Sequence, residues 1–147
     1  MLNELNNIQL IEILKQDNIT KKYFLGVFSI NTLPKKINKY PSLFILNTSP
    51  SNVKEGHWLA IYIDKNQKLE FFDSYGLNPK FYKLNSYINK ISKSFSYNKI
   101  RYQSYFSNTC GYFCLIYLLL KCRKISIKRI FSKNTIKNEK IINYFFE

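Results

Sequence analysis

The chain has 147 residues and a mass of 17.6 kDa, which is room for one domain, taken as residues 1–147. Apolar residues make up 46% and Gly and Pro number four each, which excludes a disordered chain; one His and three Cys exclude a histidine-built metal centre and a dense disulfide framework. The formal charge is +14, from 23 Lys plus Arg against nine Asp plus Glu, a balance that attracts polyanions and that an AT-rich coding sequence, with its Lys, Asn and Ile codons, also produces.

Residues Asn6 to Gln16 place Ile8, Ile11 and Leu14 three apart, which predicts a short amphipathic helix. Tyr23 to Ile30 and Ser42 to Leu46 read as strands, separated by a basic loop from Pro34 to Pro41. After a polar loop from Asn47 to Gly56, His57 to Ile63 and Lys68 to Asp73 read as two strands of a hairpin joined by Asp64-Lys65-Asn66-Gln67. Gly76 and Pro79 break the pattern, and Leu84, Ile88 and Ile91 predict a helix from Phe81 to Phe95. Ile100 to Gln103 looks like a short strand, with Asn108 and Thr109 as candidate caps for the next helix. Cys110 to Lys121 is apolar nearly all round, the mark of a buried central helix. The tail from Arg123 to Phe146 holds one or two short basic helices. The fold class is α+β: a small mixed or antiparallel sheet packed against that central helix.

Three residues carry candidate chemistry. A three-residue turn Asp64-Lys65-Asn66 would pair Ile63 with Gln67, and the same register puts His57 opposite Asp73. Opposed residues share a face with Cβ atoms about 5 Å apart, close enough for a carboxylate to hold one imidazole nitrogen. Cys110 opens the apolar helix, where exposed N–H groups and the positive end of the dipole favour the thiolate, and a neighbouring imidazolium favours it further. Gly111 lets a substrate approach the backbone. Gln103 is placed to offer an amide that, with the Cys110 N–H, would form an oxyanion hole. Each residue has a plainer reading. A buried Cys is commonly a small hydrophobe, a His before Trp a packed ring, and an Asp at a strand end a turn former. Cys114 and Cys122 lie deeper in the helix and read as structural. The C-x3-C-x7-C spacing on one helix is poor zinc geometry, so no metal site is expected.

The ordered set Gly56-His57-Trp58, Phe72-Asp73-Ser74-Tyr75-Gly76, then Gln103 followed after six residues by Cys110-Gly111-Tyr112-Phe113-Cys114, resembles the adenovirus-type cysteine proteases, the adenain family. Tyr23-Phe24-Leu25-Gly26 and Leu46-Asn47-Thr48 resemble the family's early strands, so the resemblance spans roughly Asn6 to Leu120. It implies the adenain-like variant of the papain fold, with triad order His57, Asp73, Cys110 and Gln103 in the oxyanion hole. It implies a viral cysteine endopeptidase that cleaves virion precursor proteins during maturation, at sites with Gly around the bond. Trp58 would wall the substrate groove, with Gly56 and Glu55 beside it. No cofactor is required for the chemistry, but the family's activators, viral DNA and a disulfide-linked peptide, enter as expected partners. The family's cysteine for that peptide falls eleven residues before the Gln, and this chain has Ser92 there, so a disulfide attachment is not expected. The acid is Asp73 where adenoviruses use Glu, and the chain is shorter after Leu120.

The tail carries Lys121, Lys124, Lys128, Arg129, Lys133, Lys137 and Lys140, with 121, 124, 128 and 133, 137, 140 each spaced for one helix face, a candidate phosphate-binding stripe for viral DNA or a solvated surface. No basic-plus-apolar leader opens the sequence, and the longest apolar run, Tyr112 to Leu120, is nine residues. The expectation is a non-secreted, non-membrane monomer of the virion and infected cell. Two other readings compete: a deconjugating protease for ubiquitin-like modifiers, and a non-enzymatic basic DNA-binding virion protein.

Overall fold

A computed structural model describes residues 2–51 and 56–147. Among the described residues five strands form one mixed sheet: β1 (Phe24–Ser29), β2 (Ser42–Asn47), β3 (Trp58–Ile63), β4 (Lys68–Phe72) and β5 (Ser94–Tyr97). They lie in chain order. β1 is parallel to β2, β2 to β4 run antiparallel, and β5 returns parallel to β4. The helices are α1 (Asn7–Gln16), α2 (Asn85–Ile91), α3 (Cys110–Cys122) and α4 (Thr135–Phe146).

The central strands are apolar on both faces because both faces are covered. Leu43, Ile45, Ala60 and Phe72 point to a core with Leu10 and Leu14 of α1 and Phe113, Leu115 and Leu118 of α3. Phe44, Leu46, Leu59, Ile61, Leu69 and Phe71 point the other way, to Leu84, Ile88 and Ile91 around α2. The alternation follows the two-residue strand period, so the sheet is the middle of three layers. α3 packs along β3, its residues Cys110 to Leu118 all buried. α1 starts with a reciprocal cap: the Asn6 side chain accepts from the Gln9 N–H at 2.9 Å, and the Gln9 side chain accepts from the Asn6 N–H at 2.9 Å.

Three expectations are corrected. The helix over 81–95 is three pieces: a 3-10 turn (Pro79–Tyr82) capped by Asn78, then α2, then β5. Leu84, Ile88 and Ile91 do face one core, but Phe95 and Tyr97 are two apart and alternate as a strand does. Ile100 to Gln103 is not a strand; instead the Tyr102 and Gln103 N–H groups both donate to the Ser74 carbonyl, at 2.8 and 3.1 Å. The hairpin register is shifted by two. Ile63 pairs with Leu69 and Ala60 with Phe72, because the loop includes Gln67, held at φ 62°. Asp64 fixes it by accepting from the Asn66 and Lys68 N–H groups at 2.8 and 2.9 Å.

Candidate active site

An even shift leaves faces unchanged, so His57 and Asp73 still meet, now as diagonal neighbours. His57 sits just before β3 and Asp73 just after β4, at the same end of the antiparallel pair. His57 and Thr48 exchange hydrogen bonds: the Thr48 N–H donates to the His57 carbonyl and the His57 N–H to the Thr48 hydroxyl, each at 3.0 Å. α3 begins over this end, and the Trp58 N–H lies 3.5 Å from the Cys110 sulfur.

The His57 Nε2 is 2.6 Å from Asp73 Oδ1. That leaves Nδ1 for Cys110, which also favours the charged ring. Asp73 is fully buried, and its carboxylate accepts three more bonds: the Tyr75 N–H at 2.9 Å, the Leu77 N–H at 3.2 Å and the Tyr82 hydroxyl at 2.6 Å. Burial works against a charged imidazole. The hydrogen bond to Asp73 and the influence of Cys110, with the charges on both, outweigh it, and the His57 pKa is pushed up to about 9. Burial and the bond to Asp73 push the Tyr82 hydroxyl up as well, so it stays a donor.

The peptide plane around Asp73 is held separately. The Asn98 side-chain oxygen accepts from the Asp73 N–H at 3.0 Å, and its amide donates to the Asp73 and Ile100 carbonyls at 2.6 and 2.9 Å. Gly76 then turns the chain at φ 74°. A Cβ there would lie 2.7 Å from the Ile100 backbone, so no other residue fits this corner without a shift. Tyr75 stacks on the imidazole with ring centroids 4.6 Å apart and planes 18° from parallel. Tyr105 stacks on Tyr75 at 5.8 Å, and the Arg101 guanidinium lies 3.8 Å over Tyr105. Tyr75, Tyr82 and Asn98 escape a sequence reading of the site. Tyr75 lies within the Phe72-to-Gly76 motif, but no spacing rule points to Asn98.

Gln103 is 1% exposed and fixed at both ends: its Oε1 accepts from the Ser74 hydroxyl at 2.5 Å, and its Nε2 donates to the Ser107 carbonyl at 3.0 Å. Thr109 is the residue before α3, yet its side chain makes no capping bond there. Burial pushes the Cys114 thiol well up, and Cys122 likewise, consistent with packing roles.

Trp58 is 7% exposed and its indole N–H donates to the Leu5 carbonyl at 3.0 Å, while the Tyr112 hydroxyl donates to the Asn3 carbonyl at 2.5 Å. The segment before α1 is thereby laid across Trp58 and the start of α3. A cleft of about 490 Å³ runs from Trp58 between this segment and residues Asn47, Ser49 and Pro50. Gly56 stands beside that wall, where a Cβ would fall 1.9 Å from the Asn47 side-chain oxygen. Gly111 lies against Leu5 and Trp58. Glu55 lies outside the described residues.

The basic residues are not arranged as two helix faces. Lys121 is in α3, Lys124 follows the helix end at φ 59°, and Lys128 and Arg129 are in a 3-10 turn (Ile127–Arg129). Lys133 precedes α4, which carries only Lys137 and Lys140 of its set. Lys121, Lys124 and Lys128 instead line one cavity of about 550 Å³ at the far end of α3, where Lys121 is paired with Glu70. Among the described residues no three of His, Cys, Asp and Glu come together as metal ligands, and no helix is long and apolar enough to cross a membrane.

No family model matches the sequence, and no curated protein matches it either. Solved structures do. The pS273R protease of ASFV is similar with a TM-score of 0.55 and 19% identity, over 99% of this chain and 68% of that one. The central domain of the Lpg1148 protein from Legionella pneumophila is similar with a TM-score of 0.55 and 18% identity, over 98% of this chain and 95% of that one. The chain has the cysteine-protease fold that the adenain resemblance implies.

Proposed function

We propose that the protein is a cysteine endopeptidase that processes virion precursor proteins during maturation. One observation carries the reading: His57 is held at 2.6 Å by a buried carboxylate, and Cys110, at the head of α3, joins that carboxylate in favouring the charged ring. The Cys110 sulfur attacks the scissile carbonyl carbon, a C–S bond forms, and the carbonyl electron pair moves to oxygen. The Gln103 amide and the Cys110 N–H are the donors for that oxygen. The His57 imidazolium gives its proton to the leaving nitrogen as the C–N bond breaks. His57 then takes a proton from water, whose oxygen displaces the sulfur, so the C–S bond breaks and the thiolate–imidazolium pair is regenerated. Asp73 holds the imidazole in place throughout.

The viral setting is supported by the ordered motif with Gln103 and Cys110 seven positions apart, and by the likeness in fold to a protease of ASFV. In this reading the substrates are viral structural precursors, the enzyme works as a monomer in the virion and infected cell, and viral DNA is a partner. The test is direct. A thiol-reactive active-site probe labels Cys110, and Cys110→Ala abolishes cleavage of purified precursors. Unchanged cleavage by that variant overturns the reading. Faster turnover of Gly-Gly conjugates of ubiquitin-like modifiers than of precursors replaces the viral substrate class with the deconjugating one.

A further inference from the structure

The segment from Gln103 to Thr109 leads into the nucleophile, and it contains no helix or strand to hold its shape. Its polar groups converge on one carboxylate from α4. Glu139 Oε2 accepts from the Ser104 N–H at 2.8 Å and from the Ser107 hydroxyl at 2.9 Å, and Oε1 accepts from the Thr109 hydroxyl at 2.8 Å. The neighbouring Asn138 is fully buried and donates to the Tyr102 carbonyl at 3.1 Å. Two adjacent residues of α4 thus grip the segment from 102 to 109. Thr109, at the cap position of α3, spends its hydroxyl on Glu139.

The grip reaches the reacting centre through Ser107. Its hydroxyl is on Glu139 and its carbonyl takes one N–H of the Gln103 amide. An amide NH2 has two hydrogens, so this contact orients the second, the one available to an oxyanion. We propose that Glu139 is a positioning residue that sets the Gln103–Cys110 segment as an oxyanion-binding loop. It acts by accepting hydrogen bonds. Its charge is not needed, since a negative charge near a developing oxyanion opposes it. The inference rests on the protease reading above and deepens it.

The experiment compares Glu139→Ala, Glu139→Gln and wild type, alongside Cys110→Ala. Amide hydrolysis needs the oxyanion loop, whereas alkylation of Cys110 by iodoacetamide is a displacement at carbon that forms no oxyanion. In Glu139→Ala, kcat for peptide cleavage falls about tenfold to a hundredfold with KM little changed, the scale of a misplaced catalytic group. A peptide aldehyde, whose carbonyl carbon bonds to the sulfur and whose oxygen takes up negative charge, binds correspondingly more weakly. The iodoacetamide rate stays within about twofold, because the Cys110–His57 pair is untouched. In Glu139→Gln the amide oxygen still accepts from Ser104 and Ser107 and its NH2 donates to Thr109, so kcat recovers.

A Glu139→Ala variant that keeps wild-type kcat overturns the inference, as does one in which alkylation falls in step with hydrolysis. A Glu139→Gln variant no better than Ala, with unchanged melting temperature, also overturns it. Should the Ala variant not fold, the Gln variant and its aldehyde affinity decide: wild-type values support the inference, and values reduced tenfold or more overturn it. Full activity in Cys110→Ala overturns the protease reading itself, a result separate from any of these.

Discussion

His57 gains a pKa of about 9 against 6.5 for a free imidazole, and the direction fixes two expectations. A group whose pKa is raised by folding stabilises the native state fully below its unfolded value and loses that contribution as pH climbs through its folded value. Unfolding free energy is therefore expected to fall by about 3 kcal/mol between pH 6.5 and 9, read by urea denaturation across that window. In the proposed mechanism the same proton is the one delivered to the leaving nitrogen. The basic limb of kcat/KM is expected near pH 9, and Asp73→Asn is expected to move it to lower pH and to lower kcat/KM at least about a hundredfold. A limb unmoved by that substitution would show that His57 does not deliver the proton. His57, Asp73 and Cys110 were legible because each lies at or beside an element end that periodicity can locate, whereas Gln103, which lies in no strand, was picked out by its spacing before Cys110 in the adenain-like motif. Tyr75 and Tyr82 were not, because an aromatic in a broken segment carries no signal of what it stacks on or donates to. Glu139 was hidden for another reason: an acidic residue in a basic tail reads as a charge offset, and its three donors lie 30 to 35 residues away.

Among the elements, the long apolar runs were read well, and errors gathered where short elements adjoin. β2, β3 and α3 announce themselves by continuous burial. α2 and β5 do not, because seven helical residues and four strand residues are separated by two residues and share apolar content. β5 matters beyond its size. It ends at Tyr97, so Asn98 emerges beside Asp73 and continues the ladder with a side chain where the strand has stopped. Asn98→Ala leaves the Asp73 N–H and carbonyl without these partners. It is expected to cost about 1–3 kcal/mol of stability and to lower kcat with little change in KM, checked by urea unfolding and steady-state kinetics. Asn98→Ala with wild-type stability and kcat would mean that the strand ends alone position the carboxylate.

The charge of the whole molecule, +14, is spread over elements that share no common helix face. Lys121, Lys124 and Lys128 line one cavity together with Asp64 and Glu70, and this cluster is where the proposed DNA binding is tested. DNA affinity is expected to fall steeply between 50 and 200 mM salt, roughly in line with 0.9 per phosphate contact in a plot of log affinity against log salt. Replacing Lys121, Lys124 and Lys128 by Gln is expected to flatten that slope by about 3, measured by fluorescence anisotropy of a labelled duplex. A slope unchanged by the triple substitution would return the charge to coding-sequence bias.

The position of Trp58 has an optical consequence. It is the single tryptophan of the chain, and its backbone N–H lies against the Cys110 sulfur. Excitation at the red edge of protein absorbance therefore addresses one indole, which lines the cleft and is held by the Leu5 carbonyl. The protein carries its own fluorophore on the wall of that cleft, where a bound peptide would change its surroundings, so occupancy of the cleft can be followed in real time without a label.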